Sequence, residues 1–270
     1  AIVRRRRPEL DWSTMTTADP NQLAAAVRLH AKTASLLGVD FLPVGMVAGD
    51  AGAIAPVAMP ATAPMPAPSR ASTVVEGDKA AMLDALRVRH DAECPHCTRA
   101  TAHTRTVFGD GSPDARLMFI GEAPGAEEDR QGIPFVGRAG QKLNEMITAM
   151  GLRREDVYIA NVLKARPPDN ATPTPEEASR CGPYLLEQIQ IINPAVIVTL
   201  GKPAANYLLE NSATMSSMRG HWHAWRGIPV MPTFHPAYLL RAYTPENRRK
   251  VWSDLQQAMA RLSGAPAGAR

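Results

Sequence analysis

The chain has 270 residues, three cysteines and a formal net charge of +4 at neutral pH, with a pI of about 9.1. That length holds one medium domain plus an appended segment, and the mild basic excess, much of it in Arg4, Arg5, Arg6 and Arg7, allows a polyanionic partner without demanding one. No apolar run approaches the roughly 18 residues of a membrane-spanning helix and no signal-peptide apolar segment opens the chain, so a helical membrane protein is excluded and a cytoplasmic one is expected.

The amino-terminal third does not read like the rest. Residues 1–42 are polar and charged apart from one helical pattern over 21–37, where Leu23, Ala26, Val27, His30 and Ala31 share a face and Gly38 supplies a stop. Residues 43–75 turn to Ala, Pro, Gly and Met, a composition that cannot bury a core and reads as a flexible linker. The folded domain is expected over 76–262, followed by a frayed tail over 263–270.

Within that domain helical and strand patterns alternate. Residues 80–90 form a helix leading into Cys94-Pro95-His96-Cys97. The apolar run Arg116–Ile120 is a buried strand, and it opens into GEAPGAEEDRQGIPFVG, a loop with glycines at 121, 125, 132 and 137 that carries Glu122, Glu127, Glu128, Asp129 and Phe135. A helix bearing Leu143, Met146, Ile147 and Met150 ends at Gly151, and residues 157–160 form the next strand. Thr174-Pro175-Glu176-Glu177 combines an N-cap threonine, a first-turn proline and a capping-box glutamate, starting a helix that runs to about Ile192. Residues 196–201 are a third strand with a short helix after it, and 229–234 the last strand, ending at His235-Pro236. Thr244-Pro245 opens a final helix whose Trp252, Leu255, Met259 and Leu262 form a core stripe. The alternation predicts an α/β fold: three αβα layers around a central, mostly parallel four-stranded sheet, preceded by a largely disordered amino-terminal extension.

Three chemically useful groups fall at strand ends: the acidic glycine loop, Asn161 and His235. In open α/β sheets the carboxyl ends of the strands are where ligands bind, so these residues are expected to meet at one edge.

The runs GEAPGAEEDRQGIPFVGRAG, NVLKARPPDNATPTPEEASRCGPYL and HPAYLLR, with Cys94-Pro95-His96-Cys97 ahead of them, closely resemble the family 4 uracil-DNA glycosylases from about Cys94 to Leu255. The resemblance implies an enzyme of base-excision repair that flips uracil out of DNA, hydrolyses its N-glycosidic bond and leaves free uracil and an abasic site. Position by position, it makes Phe135 the ring on which uracil stacks and Asn161 the amide that reads its pairing edge, with Gly121 and Ala123 in the same pocket. His235 is the group beside the uracil carbonyl, and Glu122 and Glu128 are the carboxylates for orienting water and countering positive charge on the sugar. Glu127 and Asp129 are supporting or solvated acids. Leu239, Leu240 and Arg241 fall in the run resembling the DNA-inserting loop. Lys164 and Arg166, and more weakly Lys202, are candidates for phosphate contacts.

The family resemblance also implies a structural [4Fe-4S] cluster on four cysteines. Cys94, Cys97 and Cys181 match three of them, but Ala165 stands at the fourth and has no ligand atom. Three outcomes are open: a cluster with a non-cysteine ligand, for which His96 is a nearby candidate; a three-iron or labile form; or no metal, with buried thiols. Zinc on three cysteines and His96 is the weaker alternative, because one residue inside the C-x-x-C pair would have to reach the same ion. The expected partners are uracil-containing DNA, with free uracil as product, and a repair or replication protein docking on residues 1–42. A monomer associated with the nucleoid and not with a membrane is expected. The competing function is a protein that captures uracil-DNA with little turnover.

Overall fold

The computed structural model describes residues 78–100 and 103–264. The predicted helix over 21–37, the linker and most of the tail lie outside the described residues.

Helix α1 (Lys79–Glu93) starts where Asp78 Oδ1 accepts hydrogen bonds from the amides of Ala80 (3.0 Å) and Ala81 (3.4 Å), and Cys94 is its C-cap. Six strands follow: β1 (Asp110–Gly111), β2 (Leu117–Gly121), β3 (Tyr158–Asn161), β4 (Val196–Leu200), β5 (His223–Trp225) and β6 (Ile228–Thr233). Their spatial order is β1-β3-β2-β4-β6-β5. The inner four are parallel, and β1 and β5 are antiparallel edges. The predicted parallel core is therefore present, with two edge strands added. Those edges are two and three residues long, too short to leave a period in the sequence.

Between the strands lie α2 (Ala126–Gln131), α3 (Arg138–Ala149), α4 (Pro175–Ile192), α5 (Lys202–Leu209) and α6 (Met215–Met218), and α7 (Pro236–Arg241) and α8 (Pro245–Leu262) follow β6. Alternation along β2 sorts the core into layers. Leu117 and Phe119 pack with Leu143 and Ile147 of α3 and Leu255 of α8, while Met118 and Ile120 pack with Leu185, Ile189 and Ile192 of α4. Every residue of β2, β3 and β4 is buried, as expected where helices cover both faces of a parallel sheet. A third cluster joins Leu86 of α1 to Cys94, Cys97, Phe108, Leu163, Ala165, Cys181 and Tyr184.

Thr174 and Glu177 close the capping box predicted for α4, with Thr174 Oγ1 accepting from the Glu177 amide at 3.2 Å and Glu177 Oε2 accepting from the Thr174 amide at 2.8 Å. Among the described residues no helix is long and apolar enough to cross a membrane.

Parallel register aligns the strand ends. Gly121 pairs with Asn161, Leu200 pairs with Thr233, and the Gly201 amide donates to Thr233 O at 2.9 Å. The chain leaves β2 toward β3 on one side and β4 toward β6 on the other, so the topological switch point lies between the adjacent strands β2 and β4.

Candidate functional site

A cavity of about 660 Å³ opens at that switch point, and Glu122, Ala123, Glu128, Phe135, Asn161, Gly201, His235 and Arg241 are among its walls. The predicted convergence of the acidic loop, the amide and the imidazole is thus present in one cavity.

Gly121 makes the convergence possible. A Cβ there would lie 2.3 Å from Asn161 Oδ1 and 2.6 Å from Phe135 Cζ, so only a glycine lets the amide and the ring close over the end of β2. Asn161 is 1 % exposed, and its buried Oδ1 finds no hydrogen-bond partner among the described residues. A buried acceptor left unpaired carries a desolvation cost of about 1–3 kcal/mol, which a ligand donor would relieve.

Phe135 is buried with φ of 52°, in the left-handed region. Its ring stands 5.6 Å from that of His235, tilted by 33°. Arg154 holds this backbone in place: Nη1 donates to Phe135 O (3.1 Å) and to Asn144 Oδ1 (3.0 Å), Nη2 donates to Pro134 O (2.5 Å), and Nε donates to Asp110 Oδ2 (3.1 Å). Nothing local marks Arg154 in the sequence, where Arg153-Arg154-Glu155-Asp156 reads as a solvated charge run.

His235 is the N-cap of α7 and its Nδ1 accepts from the Ala237 amide at 3.1 Å. In the neutral ring the proton therefore sits on Nε2. Burial pushes the imidazole pKa down to about 4, the neighbouring Arg241 charge acts the same way, and Glu128 opposes both. The group is a neutral N–H donor at physiological pH.

The two acids differ in what they touch. Glu128 Oε1 accepts from the amides of Val136 (2.9 Å) and Gly137 (2.8 Å), and Oε2 accepts from Gly125 (3.1 Å), so this carboxylate ties the glycine loop to itself. Glu122 is half-buried, and burial raises its carboxyl above the ordinary range against an opposing hydrogen bond from the Thr172 side chain. Of the other loop acids, Glu127 pairs with Arg130. Asp129 is buried and accepts from the amides of Thr104 (2.6 Å) and Arg105 (3.1 Å).

Three expectations are corrected by packing. Lys164 is fully buried, with Nζ donating to Asn161 O (2.8 Å) and Gln188 Oε1 (2.6 Å), so it braces β3 and is out of reach of a phosphate. Leu239 is 3 % exposed in the core beside α3 and cannot be a wedge for DNA, whereas Leu240 is partly accessible and Arg241 faces the cavity. His96 is absent from the close-set ligand group; its buried Nε2 has no partner among the described residues. Arg166 donates to Asn170 Oδ1 at 2.9 Å, and Lys202 lies exposed at the cavity rim. Tyr238, 36 % exposed on the cavity wall and 4.8 Å from the Phe234 ring, carries no local signal that sets it apart from the leucines beside it.

The candidate metal site lies in the third core cluster. His90, Cys94, Cys97 and Cys181 are all buried, and their ligand atoms lie within 4.8 Å of one another. Ala165 packs in the same cluster and offers no donor. Three thiols and an imidazole make up the four donors that a [4Fe-4S] cluster or a tetrahedral ion requires, so the residues present fit a metal centre.

The family description "Uracil DNA glycosylase superfamily" matches residues 108–256. The type-4 uracil-DNA glycosylase of Thermotoga maritima is 49% identical over 168 residues, covering 62% of this chain and 88% of that relative. The type-4 enzymes of Archaeoglobus fulgidus and Sulfurisphaera tokodaii are 43% and 42% identical, over 63% and 61% of this chain and 88% and 78% of theirs. With the glycine loop, the strand-end amide and the strand-end imidazole all around one cavity, the chain belongs to the uracil DNA glycosylase superfamily, on its type-4 branch.

Proposed function

We propose that the protein hydrolyses the N-glycosidic bond of uracil flipped out of DNA, releasing free uracil and leaving an abasic site. The observation that carries this reading is the Asn161 Oδ1, without a hydrogen-bond partner among the described residues, beside Phe135 and His235 in one cavity. Extruding a base costs a few kcal/mol, offset in the pocket by stacking on Phe135 and by edge hydrogen bonds to Asn161. As the C1′–N1 bond breaks, its electron pair leaves with uracil. The Nε2–H of His235 donates to the carbonyl oxygen on which negative charge grows, and because the ring is neutral it stabilises that charge without surrendering the proton. Water adds its oxygen to C1′, oriented by Glu122, which also counters the positive charge on the sugar and passes the released proton to solvent, from which the departed uracil anion takes up one proton to become free uracil. Glu128 contributes by holding the loop that carries Phe135.

The metal centre on Cys94, Cys97 and Cys181, read as a [4Fe-4S] cluster, would supply a structural cross-link between the end of α1 and α4. Leu240, Arg241, Arg166 and Lys202 face DNA in this reading, and the protein works as a monomer near the nucleoid, with residues 1–42 available to a repair or replication partner.

A single-turnover assay on a uracil-containing oligonucleotide tests the proposal. The expected result is release of free uracil, reduced about 100- to 1000-fold in Asn161→Ala and His235→Ala. Uracil-specific retention with intact substrate at enzyme excess would replace hydrolysis with capture.

A further inference from the structure

We propose that His90 Nε2 is the fourth ligand of a Cys₃His metal centre, occupying the coordination position for which Ala165 has no donor. The inference stands on the ligand geometry and does not depend on uracil release.

Residues 90 and 94 are one helical turn apart at the end of α1, so the imidazole and the Cys94 thiol project from the same face. Cys97 follows in the next turn, and Cys181 is brought across from α4. The separations are His90 Nε2 to Cys97 Sγ 3.2 Å, Cys97 Sγ to Cys181 Sγ 3.5 Å, and His90 Nε2 to Cys181 Sγ 4.0 Å. Four ligands around one tetrahedral ion, with bonds of about 2.0–2.3 Å, stand roughly 3.3–3.8 Å apart. The three separations straddle that range and all four ligand atoms lie within 4.8 Å of one another, so small shifts bring them onto a single ion. A cluster, whose ligands bind separate irons, needs the four to open outward.

The surroundings of His90 are those of a ligand. Its ring is fully buried and held edge-on by Tyr184 at 4.9 Å, with Phe108 at 5.7 Å. Nδ1 lies 2.8 Å from Asp91 Oδ1, and Asp91 in turn accepts from Thr106 Oγ1 at 2.9 Å. Donation from Nδ1–H to a carboxylate leaves the Nε2 lone pair directed at the three sulfurs, the outer-shell arrangement that orients metal-binding histidines. Two backbone amides also point at ligand sulfurs, Lys164 N at Cys181 Sγ (3.2 Å) and Cys97 N at Cys94 Sγ (3.5 Å), as expected around thiolates. A histidine that merely accepted the Cys97 S–H would need neither the third thiol nor this directed outer shell.

The test is metal content and spectrum of full-length protein purified anaerobically: iron, zinc and acid-labile sulfide per chain, with visible absorption, after a fixed chelator challenge. Wild type is expected to retain its metal. His90→Ala should retain at least tenfold less, His96→Ala should match wild type, and the double variant His90→Ala/Ala165→Cys should regain metal through a fourth thiol. Loss of either iron or zinc with His90 supports the proposal, and the sulfide count tells a cluster from a single ion. X-ray absorption on the wild-type metal should show a nitrogen ligand beside the sulfurs, a measurement independent of how the variants fold. Metal-free wild type, a His90→Ala protein with wild-type metal and spectrum, or an all-sulfur coordination shell would overturn it.

Discussion

Replacing His235 with asparagine should change how stability responds to acid. The partly buried ring has its pKa pushed from 6.5 down to about 4, first by loss of water and then by Arg241, with Glu128 pulling the other way. Above pH 6.5 both folded and unfolded chains hold the ring neutral, and it contributes nothing to the pH slope. Between 6.5 and about 4 the unfolded chain takes up a proton that the folded one refuses, so stability falls as pH falls. At about 1.4 kcal/mol per pH unit the wild type loses about 3 kcal/mol more than His235→Asn over that interval, and about 1.4 kcal/mol more by pH 5.5. Urea unfolding of both proteins at half-unit steps from pH 7.5 to 4.5 measures the difference, which cancels the carboxylates common to both. Parallel curves, or an imidazole that titrates near 6.5 by NMR in the folded protein, would refute the claim that the cavity keeps His235 neutral.

Gly121→Ala should cost about 100-fold or more in single-turnover rate, because a Cβ 2.3 Å from Asn161 Oδ1 and 2.6 Å from Phe135 Cζ forces both groups to move, and misplacement of about 1 Å costs about that factor. An unchanged rate would show that neither group needs its present position. Arg154→Met removes two charge-assisted bonds to the Pro134 and Phe135 carbonyls, each contributing about 1.5–3 kcal/mol. Denaturant unfolding should register a loss of at least about 3 kcal/mol, and a change below about 1 kcal/mol would mean that the left-handed Phe135 backbone does not need the clamp.

Much of the site was legible because its parts are contiguous or fall at strand ends. The loop from Gly121 to Gly137, Asn161 after β3 and His235 after β6 follow from apolar runs ending in polar residues, and parallel register necessarily brings such ends to one edge. The capping box at Thr174 is local chemistry and is present as written. Residues whose roles depend on distant packing were not legible. Lys164 looks like a surface cation until Gln188 of α4, far along the chain, supplies its buried acceptor. Leu239 and Leu240 are the same residue type at adjacent positions, and only the packing of α7 decides that one enters the core.

The short-range pattern of the sequence thus determined the layer architecture, the order of the strands' contributions to the cavity and the three thiols, because periodicity, capping and motif spacing act over a few residues. Tertiary structure alone decided which imidazole faces those thiols and which arginine holds Phe135. His96 is the nearer to Cys94 and Cys97 in sequence, yet a helix end turns His90 and not His96 toward Cys97 and Cys181. Arg154 reaches Phe135 O only because β1 and the turn before β3 carry it there. Distances across a packed core are set by the whole chain, and no local stretch encodes them.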